Sequence, residues 1–69
     1  MKYSYNKLWK LLIDKNMMKK DLMALTKINS STIVKMGRGE AVSLDVLGRI
    51  CEKLDCNIGD LVDFVKNEK

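Results

Sequence analysis

The residues able to do chemistry in this 69-residue chain are few, and histidine is not among them. Its absence removes the commonest general base and the commonest zinc ligand. Cys51 and Cys56 are the only cysteines. Two thiols without histidine do not complete a tetrahedral zinc site within one chain. Their spacing also departs from the redox motif in which two residues separate the thiols. In a reducing compartment they read most simply as small buried hydrophobes, with a disulfide or redox switch as the alternative. Asp55, Asn57, Gly59 and Asp60 resemble part of a calcium loop, but the glycine falls one place early and the terminal glutamate is missing. No nucleophile stands beside a base, and there is no glycine-rich phosphate loop. The chain is therefore expected not to be an enzyme and to need neither cofactor nor metal.

Charge is the more informative chemistry. Residues 1–39 carry nine cations against two carboxylates, a net +7, whereas residues 40–69 carry four cations against seven carboxylates, a net −3. A basic half beside a mildly acidic half points to a surface for a polyanion, and a lysine-rich solubilising surface is the plainer alternative. The size allows one domain, expected to span residues 1–69, near the lower limit for a self-sufficient core. No apolar run approaches the roughly 18 residues of a membrane span. Lys7 and Lys10 interrupt the only stretch that resembles a signal peptide, so the expected compartment is the cytoplasm, with no membrane partner.

The elements that position these charges read as helices throughout. The first runs from about Tyr5 to Lys15, with Leu8, Trp9, Leu11, Leu12 and Ile13 on an apolar face and Asn16 suited to a left-handed stop. That face makes Trp9 a core residue rather than a stacking platform. A second helix covers Lys19 to Leu25, with Asp21 in its first turn, where a carboxylate meets open amides. Leu22 and either Leu25 or Thr26 face inward. Asn29 is the expected cap of a third helix, Ser30 to Met36, with Ile33 and Met36 inward and Gly37 as its stop. Ser43 caps a fourth, Leu44 to Leu54, whose inward row is Leu44, Leu47, Ile50, Cys51 and Leu54. Asn57 and Asp60 open a fifth, from Ile58 to about Val65. The expectation is an all-α, compact five-helix domain.

The second and third helices are joined by a very short turn, and the third begins with two small polar residues. A helix about 10–12 Å across fits the major groove of DNA, where its N-terminal residues meet base edges first. The run Lys19 to Glu40 (KKDLMALTKINSSTIVKMGRGE) resembles the Cro and phage-repressor type of helix-turn-helix, also called the xenobiotic-response-element type. Its helix-turn-helix unit falls at about residues 19–36. The resemblance extends to Leu8-Trp9, to CEKLDC at residues 51–56 and to IGDLVDF near the end, as in small single-domain bacterial members. It implies double-stranded DNA as partner, a role in transcription regulation, and the third helix in the major groove. It places Ser30, Ser31 and Lys35 at the bases. It places Lys19, Lys20, Lys27, Asn29, Thr32, Arg38, Gly39 and Ser43 at the phosphates, where helix N-termini also suit anions.

Several positions depart from that family's pattern. Lys27 stands where the turn is usually glycine, Met18 where the second helix is usually capped by Ser or Thr, and Met23 where a small residue is usual. Leu12 and Gly37 together replace an arginine–glutamate pair found in many phage repressors. Serine also favours helix starts for its own sake, so Ser30 and Ser31 have a purely structural alternative. Two-fold half-sites require a dimer, with the fifth helix (Val62, Val65) or the segment Met1 to Tyr5, read as a short strand, as candidate surfaces. The competing functional class is a protein-interaction module, such as an antitoxin, that uses this fold with little direct DNA role.

Overall fold

The computed structural model describes residues 2–65. It contains four α-helices rather than five: α1 (Asn6–Asp14), α2 (Lys19–Thr26), α3 (Ser30–Gly37) and α4 (Leu44–Leu54). They are flanked by β1 (Lys2–Ser4) and β2 (Asp63–Val65), which pair antiparallel with Tyr3 opposite Phe64. No helix among the described residues is long and apolar enough to cross a membrane.

Local chemistry accounts for most boundaries. The Asp21 carboxylate accepts the Met18 backbone N–H at 2.8 Å, while the Met18 side chain makes no capping bond. This supplies the half of a capping box that a thioether leaves available. Ser43 Oγ accepts the Val46 N–H at 3.2 Å and caps α4 as expected. Asn16 takes the left-handed conformation after α1, with φ 57°, and Asp55 does the same after α4, with φ 54°. Gly37 does not stop α3 through that conformation; it is the last residue of the helix, and Gly39 supplies the positive φ of 76°.

The expected fifth helix stops after one turn of 3-10 geometry, Ile58–Asp60. Asp60 accepts the Asn57 N–H at 3.0 Å, so the start was legible, but the continuation is β2. Leu61, Val62, Phe64 and Val65 suit a helical or an extended period equally over so short a run, and tertiary pairing decides. The N-terminal segment provides that pairing. The strand suspected near Tyr3 is therefore real, but its partner is the same chain's C-terminal segment. Val62 and Val65 do not lie on a helix.

The core joins Leu8 and Leu12 of α1, Leu22 of α2, Ile33 and Met36 of α3, and Leu47, Ile50 and Leu54 of α4, with Tyr5, Ile28 and Leu61 from the connections. Thr26, not Leu25, is the second inward residue of α2, and its hydroxyl donates to the Leu22 carbonyl at 2.7 Å. Leu44, expected inward, is 74% exposed. Trp9 is half-buried against the core. So are Cys51 and Cys56, both free thiols. Burial, with Cys51 alongside, pushes the Cys56 thiol up to about 11, which keeps it protonated and unreactive near neutrality.

The two-stranded sheet clasps the loop that follows α3. Tyr3 N–H donates to the Gly39 carbonyl at 3.1 Å, and the buried Tyr5 hydroxyl donates to the Glu40 carbonyl at 2.7 Å. Burial raises the Tyr5 phenol above its ordinary value, so it remains a donor. A Cβ at Gly39 would lie 2.7 Å from the Tyr3 carbonyl oxygen, whereas one at Gly37 meets nothing. Gly39→Ala should therefore cost about 2 kcal/mol or more in urea denaturation. Gly37→Ala should be neutral or stabilising, and equal effects at the two positions would refute the clasp.

Candidate nucleic-acid interface

The turn between α2 and α3 is three residues long, and each has a distinct task. Lys27 adopts φ 59°, ψ 36°, and its N–H donates to the Met23 carbonyl at 2.7 Å. Ile28 is buried and anchors the turn to the core. Asn29 is extended at the head of α3, and its carbonyl accepts the Thr32 N–H at 3.1 Å. Its side chain makes no capping bond and is left for another partner. Lys27, in the place of the usual turn glycine, is thus left-handed, with the strain that any side chain meets there.

Ile33 and Met36 face the core from α3 and are almost completely buried. Helical geometry then turns Ser30, Ser31 and Lys35 outward, and all three are exposed. Val34 lies in the same row and is 51% exposed. The sequence reading missed it, although its spacing from Ser30 and Ser31 was the available signal. Thr32 is half-buried and lines a depression of about 310 Å³ with Lys35, Ala41, Val42, Ser43 and Val46. The structure therefore brings Thr32, Lys35 and Ser43 together between α3 and the start of α4.

The cations around this row are largely unpaired. Among the described residues, no carboxylate lies within ion-pair distance of Lys19, Lys20, Lys27 or Lys35. Arg38 approaches Glu40 at 3.8 Å, both groups well exposed, an arrangement that contributes little and is readily exchanged for another anion. The loop amides are less available. Arg38 N–H donates to the Val34 and Lys35 carbonyls, and Gly39 N–H to Met36. Arg38 offers its guanidinium there, and Gly39 shapes the loop without offering a donor. Lys19 begins α2 with its ammonium 4.5 Å from the centroid of the Trp9 ring.

An eight-residue helix with a small polar outer row, carried by a tight turn and ringed with unpaired cations, is the architecture of a helix-turn-helix DNA-binding domain. Residues 7–67 match the model of the Cro/C1-type helix-turn-helix DNA-binding domain, and the chain belongs to that family. Among solved structures it is similar to the transcriptional regulator VanUg, with a TM-score of 0.87 and 50% sequence identity over 90% of this chain and 83% of that one. No curated protein matches the chain.

Lys27 sets turn strain against charge. Lys27→Gly should raise stability by about 1 kcal/mol in urea denaturation while weakening DNA binding. A loss of stability would refute the strain assigned to this turn.

Proposed function

We propose that this chain is a transcriptional regulator that binds double-stranded DNA selectively, with α3 in the major groove. The observation that carries this reading is the exposed row Ser30, Ser31, Val34 and Lys35, directed outward by the burial of Ile33 and Met36. Ser30 and Ser31 donate to or accept from base edges. Val34 gives an apolar contact suited to a thymine methyl, and Lys35 reaches a guanine edge or the neighbouring phosphate. Lys19, Lys20, Lys27 and Arg38 hold the backbone by charge, with Asn29, Thr32 and Ser43 as neutral hydrogen-bonding partners. Gly39 contributes through the shape of its loop.

The reading includes a homodimer. Leu44, Ile58 and Phe64 are 74, 44 and 70% exposed beside the β1–β2 pair, and they line an apolar depression of about 240 Å³. Such a patch on one face marks an interaction surface. A second copy placed there by a two-fold axis gives two recognition helices, suited to half-sites about one turn of DNA apart. The Phe64 ring packs edge-on against Tyr3 at 5.4 Å and otherwise faces outward. Phe64→Thr keeps a strand-forming residue and should shift sedimentation from dimer to monomer; an unchanged dimer would place the contact elsewhere.

The DNA reading is tested by selecting bound fragments from random duplexes and measuring affinity against salt. A two-fold symmetric motif is expected. Replacing Lys19, Lys35 and Arg38 together by alanine should reduce the log–log salt slope by up to about three. No salt-sensitive binding at micromolar concentration, or affinity unchanged in the triple variant, would favour the partner-binding module instead.

A further inference from the structure

The ammonium of Lys19 is held against an aromatic face from another helix. Lys19 is the first residue of α2, and Trp9 lies in the middle of α1, half-buried against the core. The ammonium sits 4.5 Å from the ring centroid, within the range of a cation–π attraction. The Asp21 carboxylate at the start of α2 is engaged by the Met18 N–H at 2.8 Å, and the Met18 side chain makes no capping bond. Among the described residues no carboxylate pairs with Lys19. Leu12, Ile13 and Met17 line the same shallow depression as the ring and the lysine, which keeps the surroundings of the contact largely apolar.

We propose that Trp9 is a positioning residue for DNA binding: its ring holds the Lys19 ammonium at the head of α2, ready for a backbone phosphate. This rests on the DNA-binding reading and adds a residue that touches no DNA itself. A lysine side chain has many rotamers, and ordering it on binding opposes affinity. A ring fixed by the core restricts that freedom beforehand. The cation keeps its full charge, because an aromatic face attracts without neutralising as a carboxylate would. The packing of α1 therefore acts on the DNA surface through a single lysine.

The test is a double-mutant cycle read by fluorescence anisotropy, with a labelled mixed-sequence duplex about 30 base pairs long. Trp9→Leu keeps an apolar side chain at the core edge and removes the ring. It should weaken binding about two- to five-fold at low salt, and Trp9→Phe should restore most of the loss. In the Trp9→Leu background, Lys19→Ala should cause less further loss than in the wild type. Thermal melts of each variant separate this from a stability effect, since a merely structural tryptophan would lower the midpoint and leave the two losses multiplicative. Multiplicative losses, or a Trp9→Phe variant as weak as Trp9→Leu, would overturn the inference while wild-type binding stands. Absence of salt-sensitive binding by the wild type would overturn the DNA reading and this inference together.

Discussion

Two buried side chains decide what α3 presents. Ile33 is 6% and Met36 1% exposed, and each contributes about 1.5–3 kcal/mol through the apolar surface it removes from water. At 3.6 residues per turn, fixing these two fixes the azimuth of every other residue on the helix. Ser30, Ser31, Val34 and Lys35 are then outward by geometry. None of them needs a hydrogen bond within the protein to hold the helix in place. The interface is free to be polar and small because its orientation is determined from the opposite side.

The same separation holds for the surroundings of α3. Ile28 anchors the turn before it, and the N-terminal strand and Tyr5 clasp the loop after it, through Tyr3, Tyr5 and Gly39. Antiparallel pairing brings the two ends of the described chain together beside the loop that carries Arg38. Two three-residue strands are marginal in isolation. Here Tyr3 packs on Phe64, the Lys7 ammonium lies 3.2 Å from the Asp63 carboxylate, and Leu61 is fully buried just before β2. The strand pair persists because it is attached to a core, and it in turn limits the loop's conformations.

Legibility in the sequence follows the range of the interaction responsible. Asp21, Ser43 and Asn16 act within a turn of their own residues, so the starts of α2 and α4 and the end of α1 could be read directly. The core row of α3 was equally plain, because Ile33 and Met36 are its spaced apolar residues. Leu44 was misplaced inward, since the periodic pattern of α4 extends one residue beyond the part that packs. The fate of residues 61–65 depended on a strand some sixty residues away, and no local pattern reports that pairing. The sequence pointed to Gly37 as the helix stop, whereas the positive φ falls at Gly39. Only the approach of the Tyr3 carbonyl singles out Gly39. Val34 was left unassigned, although its spacing from Ser30 and Ser31 puts it on the outer row.

How selectively such a surface reads DNA follows from its residue types. A hydroxyl both donates and accepts, so Ser30 and Ser31, as the proposed base contacts, would discriminate weakly between bases, whereas a bidentate side chain would discriminate strongly. Val34 adds preference without a hydrogen bond, and Lys35 is a point charge rather than a fork. The charged rim, by contrast, acts on any duplex and weakens with salt. Selectivity must then come from two sources beyond individual contacts. One is the shape and deformability of the duplex held by the lysines. The other is repetition, because in the proposed dimer a two-fold pair of α3 helices would double each modest preference while its spacing would reject half-sites out of phase. If the proposed dimer forms through the apolar face around Phe64, that face determines sequence choice as much as the serines do.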